Sequence, residues 1–218
     1  MPNPNFHLLP AKPEDIPIFA DIFFSAFQSF FIHECLPDIP SVRNWWIKSQ
    51  EKEFQDPDNL FLKVIEKKEK QNDGSNDEED PIVAFAKWTK PVKGRKIPPQ
   101  PEWPEGCNAQ LADAFFGTLS DGHARVMGER THWFLALLGT RPLYEGQGAG
   151  SMLLAYGLRK ADEEQLDAFL EASPPGEPLY LKHGFEVQER VSVMVPVDGQ
   201  LKPYKNALMV RKPKPLVA

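Results

Sequence analysis

The stretch LALLGTRPLYEGQGAGSMLLAYGL, residues 135–158, decides the fold of this chain. Its apolar start predicts a strand, the glycines at its centre predict a loop, and the apolar residues that follow recur at helical spacing. Amide groups in the first turn of a helix are unpaired and lie at the positive end of the helix dipole, and glycines let a ligand approach them closely. We therefore expect the loop to bind an anion, for which a pyrophosphate is the best candidate.

Two common nucleotide-binding motifs do not fit this loop. Gly146, Gly148 and Gly150 lie two residues apart, unlike the dinucleotide-binding fingerprint, and no Gly-Lys-Ser/Thr follows, unlike the P-loop. Glu145 adds a carboxylate that a bound pyrophosphate would repel. We therefore expect the Glu145 side chain to point away from the ligand, so that only its backbone takes part.

The composition argues against two classes of partner. The chain has 218 residues, of which 41% are hydrophobic, and a net charge of −6. The absence of a Lys/Arg stripe argues against a nucleic-acid partner. The first residues lack the pattern of a signal peptide, and no apolar run approaches the ~20 residues that span a bilayer. We therefore expect no membrane partner.

The two cysteines indicate a cytoplasmic protein. Cys35 and Cys107 lie far apart in the sequence and lack metal-ligand spacing, so we expect neither a disulfide nor a zinc site. Reduced thiols are typical of the cytoplasm, which is therefore the predicted location.

Hydrophobic periodicity predicts one mixed α/β domain over residues 1–218. The predicted order is a strand, two helices, a hairpin, a third helix, the strand–loop–helix stretch, a strand, a short helix and two strands. A break of the third helix near Gly122 is an open alternative. The acidic residues 67–80 predict a mobile hairpin loop, and the proline-rich residues 91–107 predict a binding loop over a site.

A second motif lies downstream in SPPGEPLYLKHGF, residues 173–185, which predicts a short helix closed by a glycine. Together the two motifs resemble those of the GCN5-related N-acetyltransferases (GNAT). In that family a Gln/Arg-x-x-Gly-x-Gly/Ala loop opens a helix, and a later short helix ends in Tyr-x-x-x-Gly-Phe. Glu145 departs from the pattern, because it stands where the family has Gln or Arg. The matching residues are Gly148, Gly150, Tyr180, Gly184 and Phe185.

The resemblance implies a fold and a co-substrate. The fold would be α/β, with a mixed, mostly antiparallel central sheet that contains a splayed strand pair and is flanked by helices. The co-substrate would be acetyl-CoA (coenzyme A), and no metal is called for. The segments LLGT, GAGSMLL, LEAS and LYLKHGF look most like those of fungal members of uncertain substrate.

The resemblance also assigns residues to acetyl-CoA. Loop amides bind the pyrophosphate in the family, the preceding strand offers main-chain groups to the pantetheine and the acetyl carbonyl, and a polar residue often stands seven positions before the tyrosine. The cofactor-binding residues implied in this way are Leu137, Leu138, Gly139, Thr140, Glu145, Gly146, Gln147, Gly148, Ala149, Gly150, Ser151, Ser173 and Tyr180.

Three residues are candidates for proton transfer. Tyr180 matches the tyrosine that protonates the departing thiolate in many members, and its alternative role is packing against the cofactor. Glu171 and His132 are the candidates for the general base, with a relay of water molecules as the alternative.

The position of His132 depends on which face of its strand points inward. We expect Trp133, Leu135 and Leu137 to occupy the inward face, which would put His132 on the opposite face.

The implied reaction is the direct attack of a neutral amine on the acetyl thioester through a tetrahedral intermediate, with the primary amine of a small molecule as the acceptor. Transfer to a protein or peptide and a non-catalytic acyl-CoA-binding module are the alternatives. The phenylalanines between Phe23 and Phe31 either pack in the core or line an apolar pocket, and a pocket would favour an amine with an apolar group. A monomer and a homodimer are both open.

Overall fold

The computed structural model describes residues 3–68, 80–94 and 99–215, and this part of the chain contains one seven-stranded sheet. The strands are β1 Phe6–Pro10, β2 Asn59–Glu66, β3 Ile82–Thr89, β4 His132–Thr140, β5 Asp167–Ala172, β6 Glu186–Val197 and β7 Gln200–Arg211. The α-helices are α1 Ile16–Ala26, α2 Phe30–Cys35, α3 Pro40–Phe54, α4 Ala109–Met127, α5 Ala149–Glu163 and α6 Glu177–Lys182.

The strand order is β1-β2-β3-β4-β5-β7-β6. β4 and β5 pair in parallel, which requires a crossover, and α5 provides it. The other neighbouring strands pair antiparallel. The predicted fold is thus confirmed as α/β, with a mixed, mostly antiparallel sheet flanked by helices.

The helices cover the two faces of the sheet. Side chains such as Phe169 pack in a core with α1, α2, α3 and α4, and this side is called the α1–α4 face below. Their neighbours Ala168 and Leu170 point the other way, into a core with α5 and α6, which is called the α5 face. The alternation of neighbouring residues between the two cores follows from the pleat of a strand that is buried on both sides.

β4 and β5 separate after a short paired segment. Their pairing runs from His132 opposite Asp167 to Leu135 opposite Leu170, and β4 then continues to Thr140 without pairing with β5. This divergence is the predicted splayed strand pair. It leaves the β5-facing edge of β4 free along the second half of the strand, and the resulting gap between the two strands is called the cleft below.

An unpaired residue in β4 overturns one prediction about this strand. Leu135 pairs with Trp88 and Leu137 with Lys87, so that Ala136 has no partner on β3. The extra residue reverses the alternation. Trp133 and Leu135 therefore pack on the α5 face and Leu137 on the α1–α4 face, so the expectation that the three share one face was wrong.

Close packing of two glycines fixes α4 and α5 against the sheet. A Cβ on Gly157 of α5 would lie 2.2 Å from Trp88 Cε2, and a Cβ on Gly122 of α4 would lie 2.5 Å from Leu208 Cδ1. α4 runs through Gly122 without interruption, so the alternative of a break there was wrong.

Parts of the two predicted loops lie outside the described residues, namely 69–79 and 95–98. In the proline-rich segment, Trp103 donates a hydrogen bond to Asp113 Oδ1 at 2.7 Å and contacts the rings of Trp45 and Phe116. This end of the segment therefore packs on α3 and α4. Among the described helices, none has the length and hydrophobicity to cross a membrane.

Candidate active site

The glycine-rich loop forms the start of α5 as the sequence predicted. After a 3₁₀ turn at Pro142–Tyr144, Gly146 and Gly148 have φ angles of +73° and +99°. These left-handed conformations are readily adopted by glycine and strained for other residues. No side chain caps α5 at Gly148, in contrast to α2 and α4, which are capped by Ser29 and Asn108. The first-turn amides of α5 are therefore available to an anion.

The side chains of the loop do not cap the first-turn amides of α5. The Glu145 side chain is exposed and makes no hydrogen bond or ion pair with a described residue. The side-chain amide of Gln147 donates to Leu143 O at 2.9 Å, and Gln147 O accepts from the amide of Asn3 at 3.0 Å. Asn3 also donates to Glu66 Oε1 at 3.3 Å. The N-terminal segment thus holds the loop, a support that no motif in the sequence indicated.

Gly150 brings three elements together at the open end of the cleft. A Cβ on Gly150 would lie 3.4 Å from both Leu138 Cδ2 and Leu179 Cδ2, and 3.7 Å from Thr140 Oγ1. The hydroxyl oxygen of Ser151, the next residue of α5, lies 3.2 Å from His183 Nε2. The first turn of α5, the end of β4 and α6 therefore surround one position, where the predicted cofactor-binding residues meet.

Two further predicted residues lie in this region. Ala149 is buried in the core of the α5 face. Ser173 follows β5, and its carbonyl accepts hydrogen bonds from Gly176 and Glu177 at 3.0 Å each. Ser173 thus holds the turn that starts α6.

Glu171 stands on β5 just beyond the last residue that pairs with β4. It lies opposite Leu208 on the α1–α4 face and is half-buried. Its carboxyl group has no hydrogen bond or ion pair with any described residue, and burial raises its pKa to about 7. A carboxylate with this pKa can exchange a proton with an amine near neutral pH.

Tyr180 lies on the other side of the sheet, in the core of the α5 face. It is 9% exposed, its ring meets Phe185 edge-on at 6.1 Å, and its hydroxyl has no hydrogen bond to a described residue. Burial raises its pKa to about 12, so the phenol keeps its proton over the whole neutral range. A protonated phenol is suited to the role of a proton donor.

His132 lies at the closed end of the cleft. Its Nδ1 is 2.6 Å from Arg130 O and its Nε2 is 2.8 Å from His123 Nε2, so both ring nitrogens have partners. Burial lowers the pKa of both histidines, to about 4 for His123. His132 lies three positions before Leu135, the last paired position of β4, which is roughly 10 Å along a strand. The structure therefore does not bring His132 together with Glu171 and Tyr180.

The connection between α1 and α2 crosses the cleft on the α1–α4 face. At one end, Phe27 packs on β4, since a Cβ on Gly139 would lie 3.5 Å from Phe27 Cε2. At the other end, Ser29 lies beside the hydroxyl of Tyr204 on β7. The region around Glu171 on this face, between β4, β7 and this connection, is called the acceptor chamber below.

The core-packing interpretation of the phenylalanine-rich segment is confirmed for Phe23 and Phe31, and the apolar pocket stays a prediction. Phe23 and Phe31 are buried in the core, whereas Phe30 is 39% exposed. Tyr204 stacks on Phe31 at 4.8 Å and meets Phe30 edge-on at 5.6 Å. The sequence did not indicate Tyr204, because only the topology brings β7 beside β5.

Comparison with known proteins identifies the family. The sequence model of the Acetyltransferase (GNAT) family matches residues 39–185, more than half of the chain. The chain therefore belongs to the GNAT acetyltransferases, enzymes that transfer an acetyl group from acetyl-CoA to an amine. Among the residues described, no group of three or more His, Cys, Asp or Glu side chains could hold a metal ion.

Solved structures share the fold at low sequence identity. One is described as histone acetyltransferase HPA2 and related acetyltransferase, from Corynebacterium glutamicum, with a TM-score of 0.58, 20% identity and coverage of 98% of this chain and 99% of that chain. The ribosomal-protein-S18-alanine N-acetyltransferase of Escherichia coli has a TM-score of 0.54 and 13% identity, with coverage of 98% of this chain and 96% of that chain. The PaiA N-acetyltransferase of Thermoplasma acidophilum, in complex with coenzyme A, has a TM-score of 0.51 and 12% identity, with coverage of 95% of this chain and 98% of that chain.

Proposed function

We propose that this acetyltransferase transfers the acetyl group of acetyl-CoA to the primary amine of a small molecule. The observation that carries the proposal is the α1–α2 connection, which lies against β4 at Phe27 and beside β7 at Ser29, close to where β4 leaves β5. This connection covers the region around Glu171. A region covered in this way suits a compact acceptor better than a polypeptide chain.

The proposed binding mode for acetyl-CoA uses the backbone of the loop and of β4. The pyrophosphate would lie on the amides of residues 146–150, with Ser151 beside it and Glu145 contributing its backbone alone. The uncapped start of α5 and the two positive φ angles support this mode. The pantetheine arm would lie along residues 137–140, whose β5-facing edge is unpaired.

Three groups would perform the chemistry. Glu171 would take a proton from the ammonium form of the acceptor, to which a pKa of about 7 is suited. The backbone amide of Leu138 would polarise the acetyl carbonyl and stabilise the oxyanion of the tetrahedral intermediate. Tyr180, with a pKa of about 12, would return a proton to the departing thiolate. Their position on opposite faces of the sheet supports separate acid and base roles.

The aromatic side chains near the chamber favour an acceptor with an apolar group. Tyr204 and Phe31 are stacked at 4.8 Å, and Phe30 remains partly exposed beside them. An aromatic or aliphatic substituent on the amine would gain by burial against these rings.

A panel of small primary amines, assayed for release of free coenzyme A from acetyl-CoA, tests the proposal. We expect turnover with at least one amine that carries an apolar group. A pool of peptides with varied N-termini, analysed by mass spectrometry, is the matched comparison. Acetylation of peptides alone would establish the protein acceptor instead, and acetyl-CoA binding without turnover of either set would establish the non-catalytic module.

The proposed location is the cytoplasm. The chain has two free cysteines, and the structure brings them together, with Cys107 Sγ 3.0 Å from Cys35 O. Neighbouring thiols that stay reduced suit a reducing compartment.

A relationship to fungal members is supported by the segments LLGT, GAGSMLL, LEAS and LYLKHGF. Both a monomer and a homodimer are compatible with this function.

A further inference from the structure

Asn206 on β7 is a buried polar residue without a partner. It is 5% exposed, and its side-chain oxygen Oδ1 is fully buried with no hydrogen bond to a described residue. The other buried polar side chains in the described part of the chain have partners. Asp15 pairs with Lys63, Arg211 pairs with Asp162, and Lys87 contacts Gln50 and Glu53. Because an unpaired buried acceptor is destabilising, the exception requires an explanation.

The strand register places Asn206 in the acceptor chamber. Alternate residues of β7, namely Tyr204, Leu208 and Val210, pack on the α1–α4 face, so Asn206 faces the same way. Leu208 lies directly opposite Glu171, and Asn206 is the next residue of β7 on that face. Diagonal neighbours of this kind have Cα atoms about 7–8 Å apart, within reach of one small ligand group.

The surroundings offer Asn206 no other polar partner. Val191 lies opposite it on β6, and Val193 packs in the same core. The hydroxyl of Tyr204, two residues before Asn206 on β7, lies beside Ser29. The oxygen of Asn206 and the carboxyl of Glu171 are thus two hydrogen-bond acceptors on this face without a partner among the described residues.

We propose that Asn206 accepts a hydrogen bond from the acceptor amine and makes the site selective for primary over N-methylated amines. This inference rests on the proposed function and adds a specificity residue to it. A primary ammonium has three N–H groups. One proton passes to Glu171 and frees the lone pair that attacks the acetyl carbonyl. A second proton passes from the nitrogen of the tetrahedral intermediate to the Tyr180 oxygen, after Tyr180 has protonated the departing thiolate. The third N–H stays bound to Asn206 Oδ1 up to the amide product. An N-methylated ammonium has only two N–H groups and loses both in the reaction, so Asn206 Oδ1 is left unpaired as the amide forms.

The test compares a primary amine with its N-methyl analogue in the wild type and in Asn206→Leu. Leucine has nearly the same size and no polar atom. We expect kcat/KM for the primary amine to fall by about tenfold or more, and the preference over the N-methyl analogue to be lost, while the KM for acetyl-CoA stays the same. Because the variant removes an unpaired buried oxygen, its Tm should not fall. Asn44→Leu, on the exposed side of α3, is the matched control and should change none of these values.

The variant Asn206→Asp distinguishes the role of the amide oxygen of Asn206 from that of its amide nitrogen. Aspartate keeps an acceptor oxygen at this position but adds a charge next to Glu171, which should raise the pKa seen in the rate profile. We therefore expect this variant to keep the preference for primary amines and to shift the profile to higher pH.

The outcomes distinguish this inference from the proposed function. Turnover by the wild type together with an unchanged preference in Asn206→Leu would overturn the role of Asn206 and leave the acetyltransferase activity intact. A fall in Tm without a change in preference would make Asn206 a structural residue. Release of no coenzyme A by the wild type with any amine would overturn the proposed function, and the inference with it.

Discussion

Glu171 and Tyr180 lie on opposite faces of the sheet, Glu171 on β5 just beyond its last pairing with β4 and Tyr180 on α6, the next helix along the chain. Both side chains lack a hydrogen-bond partner among the described residues, and burial raises the pKa of each, to about 7 and about 12. At neutral pH the first can therefore accept a proton while the second still holds one. These protonation states fit the proposed proton transfer from an ammonium and to a thiolate.

Glu171→Gln should lower kcat at neutral pH by about 100-fold, because general-base catalysis contributes at least that much. Acetyl-CoA affinity, measured by calorimetry, should stay the same. The variant should also be more stable than the wild type at pH 8. A buried carboxyl with a raised pKa binds its proton more tightly in the folded state, so it lowers the free energy of unfolding as the pH rises from about 4.5 to about 7. Equal activity of the two proteins would exclude Glu171 as the base.

Tyr180→Phe should reduce kcat by about 100-fold and leave the dissociation constant of acetyl-CoA unchanged. The phenol has no hydrogen bond to a described residue, so its removal should not destabilise the protein. Steady-state kinetics and a thermal melt measure the two effects. Unchanged turnover would assign Tyr180 to packing alone.

Gly146→Ala should weaken acetyl-CoA binding about tenfold or more, because a methyl group would stand between the loop amides and the pyrophosphate. Gly199 in the β6–β7 turn is a matched control, since both glycines have φ of +73° and open space around the position of a Cβ. Each alanine should cost about 1 kcal/mol of stability. Only Gly146→Ala should lose affinity, and equal affinities of the two variants would refute the loop as the pyrophosphate site.

Glu145→Gln should leave acetyl-CoA affinity unchanged or increase it. The side chain is exposed and without a partner among the described residues, and its charge opposes that of the pyrophosphate. Isothermal titration at low ionic strength gives the most sensitive comparison. A marked loss of affinity would show that the carboxylate binds part of the co-substrate.

The His123–His132 pair should make the protein sensitive to acid. Burial lowers the pKa of His123 from 6.5 to about 4, so the unfolded chain binds more protons than the folded one between these values. The pair therefore contributes its full stability above about pH 6.5 and loses up to about 3 kcal/mol as the pH falls to about 4. Urea unfolding at pH 7.5 and 5 should show a larger loss for the wild type than for His123→Leu, and the same loss in both would contradict this.

The sequence predicted the parts of the site that depend on local residues. The glycines between residues 146 and 150 and the helical spacing after them indicate a loop and the start of α5 without any knowledge of the remaining chain. The faces of β4 could not be predicted in this way. The unpaired Ala136 depends on the register between β4 and β3, and this extra residue is what puts Leu137 on the same face as Glu171.

The acceptor side was equally out of reach of sequence patterns. Tyr204 and Asn206 join the chamber only because β7 lies between β5 and β6 in the sheet, and the order of strands is a property of the whole fold. For the same reason, nothing in the sequence around His132 indicated that His123 of α4 would form a hydrogen bond with His132 Nε2.

The most direct test of the central claim is the pH dependence of kcat, at saturating acetyl-CoA and primary amine, for the wild type and for Glu171→Gln. The wild-type rate should fall as the pH decreases through about 7, where Glu171 becomes protonated, and the variant should lack this limb. A limb of the same midpoint and depth in both proteins would contradict the assignment of Glu171 as the base of the reaction.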